Sequence, residues 1–213
     1  MLPALGVRFA LFLAALALAG LALPGATAPR PTASPALLAL AAAPASELIP
    51  SPPETKTVTV FLVRHAEKSK DDPRDPSLTA AGQQRARRLA ELLAQEKITH
   101  LFSTPLKRTQ ETLAPLARAR DLEVTSIMDV DEQVAALLDL PAGSTAVLAG
   151  HSNTVPALVA GLGGTVSATV PGRSGPQLLD DSYDRLFVAI LTPPAGAPQP
   201  RLRRLLELRY GAP

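Results

Sequence analysis

The most constraining feature of this chain is the segment Val58–Lys68, VTVFLVRHAEK, in which an apolar run ends on a cationic pair. The unbroken apolar run from Phe61 to Val63 predicts a buried β-strand, and Arg64 and His65 follow it directly. In α/β sheets, ligands bind just outside the carboxyl ends of the strands. The segment therefore predicts a strand that brings an arginine and a histidine to a ligand-binding edge, while a surface loop after a strand is the plainer alternative.

The same layout recurs further along the chain. A short apolar strand is predicted at Ala146–Gly150, and His151 follows it directly. Another strand, Ile98–Ser103, leads into a helix whose first turn carries Arg108, and the amino end of a helix attracts anions. Because the carboxyl ends of parallel strands meet at one edge of a sheet, we expect these residues to lie close to the first histidine. His100, inside its strand, is interpreted as a structural or surface histidine.

The order of the predicted elements defines the fold class. Strand and helix alternate four times and two strands follow, which predicts an α/β fold. We expect a three-layer α/β/α sandwich with a mainly parallel central sheet and an antiparallel edge near Leu202–Tyr210. The turn-rich segment Thr165–Asp184 is a candidate cover for the site. Pro115 is expected to interrupt or kink the second helix.

The first 55 residues have a composition unlike that of a packed domain. Met1–Ala28 combines Arg8, a long apolar run and a final Ala-Thr-Ala, which is typical of a secretory signal peptide. An uncleaved N-terminal membrane anchor is the alternative. Pro29–Thr55 is rich in Pro, Ala and Ser and is interpreted as a linker. Residues 56–213 are then the folded domain, which we expect to be exported to the periplasm, cell envelope or medium.

Composition and chemistry narrow the function. A net charge of +2 and an aromatic content of 3% argue against a nucleic-acid partner. The chain has no cysteine, which excludes thiol catalysis and thiolate metal sites. Two guanidinium groups and two imidazoles suit a phosphoryl group, because arginine pairs with its oxygens and a neutral histidine can attack phosphorus. Four such groups offset the charge of the phosphate, so this interpretation requires no metal or cofactor.

Four short segments resemble, in order, the motifs of the histidine phosphatase superfamily, the phosphoglycerate mutase-like family. LVRHAEK resembles its Arg-His-Gly signature, with Ala66 in place of the usual glycine. The other three segments are LTAAGQQRARRLAELL, STPLKRTQET and VLAGHSNTV. The resemblance runs from about Val58 to Leu191.

This resemblance implies a role for each matched residue. His65 is expected to be the nucleophile that forms a phosphohistidine, while Arg64, Arg108 and His151 complete the phosphate pocket. A carboxylic acid must protonate the leaving oxygen.

The family's proton donor often follows the third strand. Glu132 matches that position and is the predicted donor, with Asp131 as the alternative. Asn153 and Ser103 are predicted to add hydrogen bonds to the substrate.

The resulting hypothesis is a metal-independent phosphomonoester hydrolase that acts on a phosphorylated small molecule or a phosphoprotein. Two alternatives stay open: a phosphate- or phosphoprotein-binding module without turnover, and a phosphoglycerate-type mutase. Predicted export favours hydrolysis, because an exported enzyme rarely meets phosphoglycerate.

Overall fold

The computed structural model describes residues 57–193 and 200–211. The predicted signal peptide, 1–28, and the predicted linker, 29–55, lie outside the described residues. Of the helices in the described ranges, none combines the length and apolar character needed to cross a membrane.

Eight strands and four helices make up the described part of the chain. In order they are β1 (Val58–Arg64), α1 (Ala80–Leu92), β2 (His100–Ser103), α2 (Lys107–Arg120), β3 (Val124–Ser126), α3 (Val130–Leu138), β4 (Thr145–Gly150), α4 (Thr154–Gly161), β5 (Thr169–Gly172), β6 (Gly175–Leu178), β7 (Arg185–Thr192) and β8 (Arg201–Arg209). Pro115 lies inside α2 and does not interrupt it.

Six of the strands form one sheet in the order β3-β2-β4-β1-β7-β8. Strands β3, β2, β4 and β1 are parallel to one another, whereas β7 and β8 run antiparallel to their neighbours. The predicted α/β class with a mainly parallel sheet is confirmed. Its antiparallel part is two strands wide, not one.

Strand β1 lies in the middle of the sheet and is buried on both faces. Val60 and Leu62 pack on one side with residues of α3 and α4, while Phe61 and Val63 pack on the other with residues of α1 and α2. Successive side chains of a strand point to opposite faces, so an unbroken apolar run is what a central strand needs. Burying each large apolar side chain stabilises the fold by about 1.5–3 kcal/mol.

Helix α1 begins very close to the loop that follows β1. The Thr79 side chain caps the helix by accepting a hydrogen bond from the Gly82 N–H at 3.0 Å. A Cβ at Gly82 would overlap the Glu67 carbonyl oxygen, so only glycine allows this approach. The Arg85 side chain, one turn on, forms an ion pair with the Glu67 carboxylate at 2.7 Å. These contacts fix the loop directly after His65.

The turn-rich segment Thr165–Asp184 contains a two-stranded hairpin, β5–β6, that the sequence analysis did not predict. Thr169 pairs with Leu178 and Gly172 with Gly175. Prolines and glycines within these short strands give them the composition of turns, which hides the pairing. The chain leaves β6 at Leu178 and continues through residues 179–184, which reach the carboxyl edge of the main sheet.

Candidate active site

The ends of β1 and β4 lie side by side and bring two histidines together. Arg64 is paired with Gly150 in the register of these parallel strands, and the His65 N–H donates to the Gly150 carbonyl at 2.8 Å. His151 directly follows β4, and its ring centroid lies 5.4 Å from that of His65. Two residues 86 positions apart in sequence are thus neighbours because their strands are paired.

A cavity of about 660 Å³ opens at this edge of the sheet. All four residues of the predicted phosphate pocket line it, as does Asn153. The structure therefore brings together five of the seven residues that the sequence indicated. Residues lining the cavity include Arg64, His65, Lys68, Arg108, His151 and Asp180.

Ser103 does not reach the cavity. Its side chain is fully buried, and its hydroxyl donates to the carbonyl of Thr104 at 2.8 Å. The neighbouring Thr104 is the residue that approaches the site, with its hydroxyl 3.1 Å from the His151 ring. At the end of a strand, adjacent side chains point in opposite directions, so a shift of one residue changes which hydroxyl faces the site.

Glu132 and Asp131 also lie away from the cavity lining. Both side chains are exposed in the first turn of α3. Their N–H groups donate to the Asp129 carboxylate at 3.0 and 2.9 Å, so Asp129 caps the helix. This acidic cluster forms a helix amino terminus, where carboxylates are favourable for that reason alone. The geometry gives the predicted donor role of Glu132 no support.

His65 is buried and held in one tautomer. Its Nδ1 lies 2.7 Å from the Ala66 carbonyl oxygen, which can only accept, so Nδ1 carries the proton of the neutral ring. The other nitrogen, Nε2, is left with a free lone pair. Burial lowers the pKa of His65 to about 3, and electrostatic interactions with His151, Arg64 and Arg108 act in the same direction. The ring is therefore neutral, and nucleophilic, at neutral pH.

His151 is neutral as well. Burial lowers its pKa to about 4, and the nearby charges of Arg108, Arg64 and Lys68 act in the same direction. A bound phosphate dianion opposes both effects, because it adds negative charge beside the ring. Protonation of this histidine is therefore coupled to anion binding.

The Arg64 guanidinium links the cavity to the loop after the hairpin. Its Nη1 donates to the Leu179 and Asp180 carbonyl oxygens at 2.8 and 3.0 Å. Its Cζ lies 4.2 Å from the centre of the Tyr183 ring, a cation–π contact. Tyr183 also lines the cavity. Residues 179–184 therefore form part of the cavity wall, in line with the prediction that the segment Thr165–Asp184 covers the site.

Arg108 lies at the second position of α2, where the free N–H groups of the helix begin. Asp75 holds this end of the helix, since its carboxylate accepts from the Lys107 N–H at 2.9 Å and lies 3.8 Å from Arg108 Nη1. The buried Nε atoms of Arg108 and Arg64 have no hydrogen-bond partner within the described part of the chain. Each is a buried donor without a partner, in a side chain that lines the cavity.

The cavity-lining residues Lys68, Asp180 and Tyr183 were not singled out from the sequence, and neither was Thr104, which contacts the His151 ring. Lys68 and Thr104 lie within segments that resemble family motifs, so those motifs could have identified them as candidate site residues. Asp180 and Tyr183 belong to the loop after the hairpin and carry no motif.

The two depressed pKa values predict a pH dependence of folding stability. Unfolded histidine titrates near 6.5, whereas these rings accept protons only near 3 and 4. Between those limits the unfolded state binds more protons, so the free energy of unfolding falls as pH decreases from 6.5. The slope is at most about 1.4 kcal/mol per pH unit for each histidine. Urea denaturation at a series of pH values measures it.

The control for this measurement is the double variant His65→Gln, His151→Gln, which removes both groups. Carboxylates contribute equally to both proteins, so the difference in slope isolates the histidines. An identical pH dependence in the variant would show that the rings are not buried in their neutral forms.

The fold and the cavity define a class: α/β domains that present two histidines and two arginines at the carboxyl edge of a mainly parallel sheet. Residues 60–135 match the model of the histidine phosphatase superfamily (branch 1). This match covers 76 of the chain's 213 residues, about a third of the chain. The matched segment includes Arg64, His65 and Arg108 but ends before His151, which the strand pairing brings to the same cavity.

Individual relatives match parts of the chain. Phosphoserine phosphatase 1 of Hydrogenobacter thermophilus is 38% identical over 84 residues, which are 35% of this chain and 39% of that protein. Phosphoglycerate mutase-like protein 4 of Arabidopsis thaliana is 39% identical over 82 residues, 35% of this chain and 36% of the relative. The matched part of the chain therefore spans less than half the length of either curated relative.

Solved structures share the fold. The mycobacterial glucosyl-3-phosphoglycerate phosphatase superposes with a TM-score of 0.51 at 16% identity, covering 70% of this chain and 97% of that one. At this level of identity, the likeness concerns the fold.

Proposed function

We propose that this protein is a phosphomonoester hydrolase that forms a phosphohistidine on His65 and needs no metal ion. The observation that carries the proposal is the convergence of two neutral imidazoles and two arginines on one cavity. The names of the two curated relatives, a phosphatase and a mutase-like protein, support phosphoryl chemistry.

Electrostatics support a phosphate as the bound group. Arg64, Arg108 and Lys68 line the cavity with three cationic side chains, and the buried Nε atoms of the two arginines have no hydrogen-bond partner among the described residues. Arginine donors match the oxygens of a phosphoryl group in both charge and geometry. Burial, with a smaller contribution from Arg64 and Arg108, lowers the pKa of His65 and so keeps this nucleophile neutral.

The proposed reaction has two steps. The Nε2 lone pair of His65 attacks phosphorus, an N–P bond forms, and the bond to the leaving oxygen breaks as that oxygen takes a proton. Water then attacks phosphorus and gives a proton to the carboxylate left by the first step, the N–P bond breaks, and inorganic phosphate leaves with His65 and the acid restored. Arg64, Arg108 and protonated His151 stabilise the charge on the equatorial oxygens in both steps.

Purified full-length protein tests this function. We expect p-nitrophenyl phosphate and a panel of phosphorylated small molecules and phosphoproteins to release phosphate in the presence of EDTA. Transfer between phosphoglycerate isomers without phosphate release would instead establish a mutase. Tight vanadate binding with no turnover of any ester would identify a binding module. Predicted export, with either a cleaved signal or an N-terminal anchor, favours the hydrolase.

The proton donor needs a separate proposal. Asp180 is the one carboxylate among the described residues that line the cavity, and the contacts of its backbone to Arg64 hold it there. We therefore propose Asp180 as the donor to the leaving oxygen, in competition with Glu132, which the sequence favours.

Leaving-group dependence distinguishes the two carboxylates. Asp180→Asn should lower kcat for an alkyl phosphate by about 10²-fold or more, because an alkoxide must be protonated as it leaves. Its activity on p-nitrophenyl phosphate should change little, since p-nitrophenolate leaves unaided. Steady-state kinetics with both substrates measure the ratio.

Two matched controls accompany this test. Asp181→Asn changes the adjacent exposed carboxylate on the same loop and should leave both activities near wild type. If Glu132→Gln, and not Asp180→Asn, loses alkyl phosphate turnover selectively, the donor is Glu132.

A further inference from the structure

Helix α2 carries two buried threonines, Thr109 and Thr112, one turn apart. Residues three apart lie on the same face of a helix, and here that face is directed to the sheet edge with the two histidines. We infer that these threonines are positioning residues that hold His65 and His151 in opposite ring tautomers. The inference rests on the proposed function for its catalytic consequence, while the tautomers themselves follow from contacts.

Thr112 acts on the nucleophile's side. The Ala66 N–H donates to Thr112 Oγ1 at 2.9 Å, and the Thr112 hydroxyl donates to the Arg108 carbonyl at 2.6 Å. The Ala66 carbonyl in turn lies 2.7 Å from His65 Nδ1. Thr112 therefore links Ala66, the residue that orients His65, to the backbone of Arg108, which also lines the cavity. This arrangement requires the Nδ1–H tautomer of His65.

Thr109 acts on the second histidine through Thr104. The Thr109 hydroxyl lies 2.8 Å from the Leu106 carbonyl and 2.9 Å from the Thr104 carbonyl, and carbonyl oxygens can only accept. Thr109 has one proton, so it donates to a carbonyl. Its Oγ1 also lies 2.8 Å from Thr104 Oγ1, so Thr104 must be the donor in that contact.

The same proton count determines the tautomer of His151. Thr104 also has one proton, which it gives to Thr109. Its contact with His151 Nε2, at 3.1 Å, must then be a hydrogen bond donated by the ring. His151 is therefore the Nε2–H tautomer, with its lone pair on Nδ1. The two neighbouring rings carry their protons on different nitrogens.

Opposite tautomers suit opposite tasks. His65 presents an unprotonated Nε2, as a nucleophile requires. His151 keeps Nε2–H bonded to Thr104 and has Nδ1 free to take a proton when a phosphate dianion binds. The second histidine thereby becomes a cation without losing its hydrogen bond to the protein. The buried hydroxyls explain why this helix has threonines at positions 109 and 112.

Nitrogen-15 NMR of the unliganded protein at pH 7 tests the assignment directly. Both rings are neutral there, and protonated and unprotonated ring nitrogens differ widely in chemical shift. We expect Nδ1 of His65 and Nε2 of His151 to be protonated. The same tautomer on both rings would overturn the inference. This readout needs no substrate, so it is independent of whether the protein turns over any ester.

Isosteric variants test the hydrogen bonds of the two threonines. In Thr109→Val the Thr104 hydroxyl loses its acceptor and turns to donate to His151 Nε2, so His151 should switch to the Nδ1–H tautomer while His65 is unchanged. Thr112→Val should perturb the His65 resonances and leave His151 unchanged. We expect kcat to fall at least about tenfold in each. Thr109→Val puts His151 in the wrong tautomer, and Thr112→Val removes the contact that holds the Ala66 peptide, which orients His65.

Two sets of controls distinguish the loss of these hydrogen bonds from a folding defect. Thr109→Ser and Thr112→Ser keep the hydroxyl and should restore both the wild-type tautomers and kcat. Thr99→Val makes the same change beside His100, where Thr99 Oγ1 lies 2.9 Å from the ring, and should alter neither active-site histidine. An unchanged His151 tautomer in folded Thr109→Val, or no rescue by serine, would refute the role of these threonines.

Discussion

Replacing His65 with alanine is expected to reduce phosphate release from every accepted ester by at least about 10⁴-fold, as the loss of a catalytic nucleophile does elsewhere. The reason is specific: of the two cavity imidazoles, His65 is the one whose Nδ1 is engaged by a carbonyl, so its Nε2 lone pair is free. Its pKa of about 3 keeps that lone pair unprotonated.

The measurement combines steady-state kinetics with trapping of the intermediate. Wild-type protein quenched in alkali during turnover of a ³²P-labelled ester should carry label on histidine, since the N–P bond survives base. His65→Ala should carry none. His100→Ala is the matched control, because His100 begins β2 at the opposite end of that strand from the cavity and should be dispensable. Near-normal turnover by His65→Ala would refute the assignment of His65 as the nucleophile.

Arg108→Lys is expected to lower kcat/KM by about 10²-fold or more, even though the charge is retained. Lysine lacks the planar fork and cannot supply the Nε donor that Arg108 holds buried and unpaired. Arg108 is a cleaner test than Arg64, whose guanidinium also holds the loop that carries Tyr183.

The control is Arg118→Lys, an exposed arginine near the other end of the same helix, which should behave as wild type. Inhibition by vanadate gives a second readout that does not depend on turnover. We expect weaker inhibition of Arg108→Lys and unchanged inhibition of Arg118→Lys. Equal catalytic efficiency of Arg108→Lys and wild type would show that this residue contributes only charge.

Much of the site follows from the sequence because parallel strands impose a common direction. Once β1 and β4 are recognised as buried parallel strands, their carboxyl ends must meet at one edge, and His65 and His151 come directly after those ends. Arg108 follows from the same rule, since it begins the helix after a third parallel strand. These predictions needed only element order and the residue at each boundary.

Finer assignments are not decided by the sequence where local patterns allow two structures. The acidic segment that contains Glu132 fits either a proton donor after a strand or the capped start of a helix. In the structure it is the capped start of α3. Ser103 and Thr104 are adjacent hydroxyls, and only the register at the end of β2 determines that Thr104 contacts His151.

The sequence by itself determined the α/β class and the strand-end residues, because these depend on periodicity and short motifs that are local along the chain. Tertiary structure alone decided which distant groups surround them. Arg64 meets Leu179 across 115 positions, and Thr104 meets His151 across 47. Such contacts depend on how a hairpin and a helix pack on the sheet, and side-chain packing in three dimensions has no signature in any single stretch of residues.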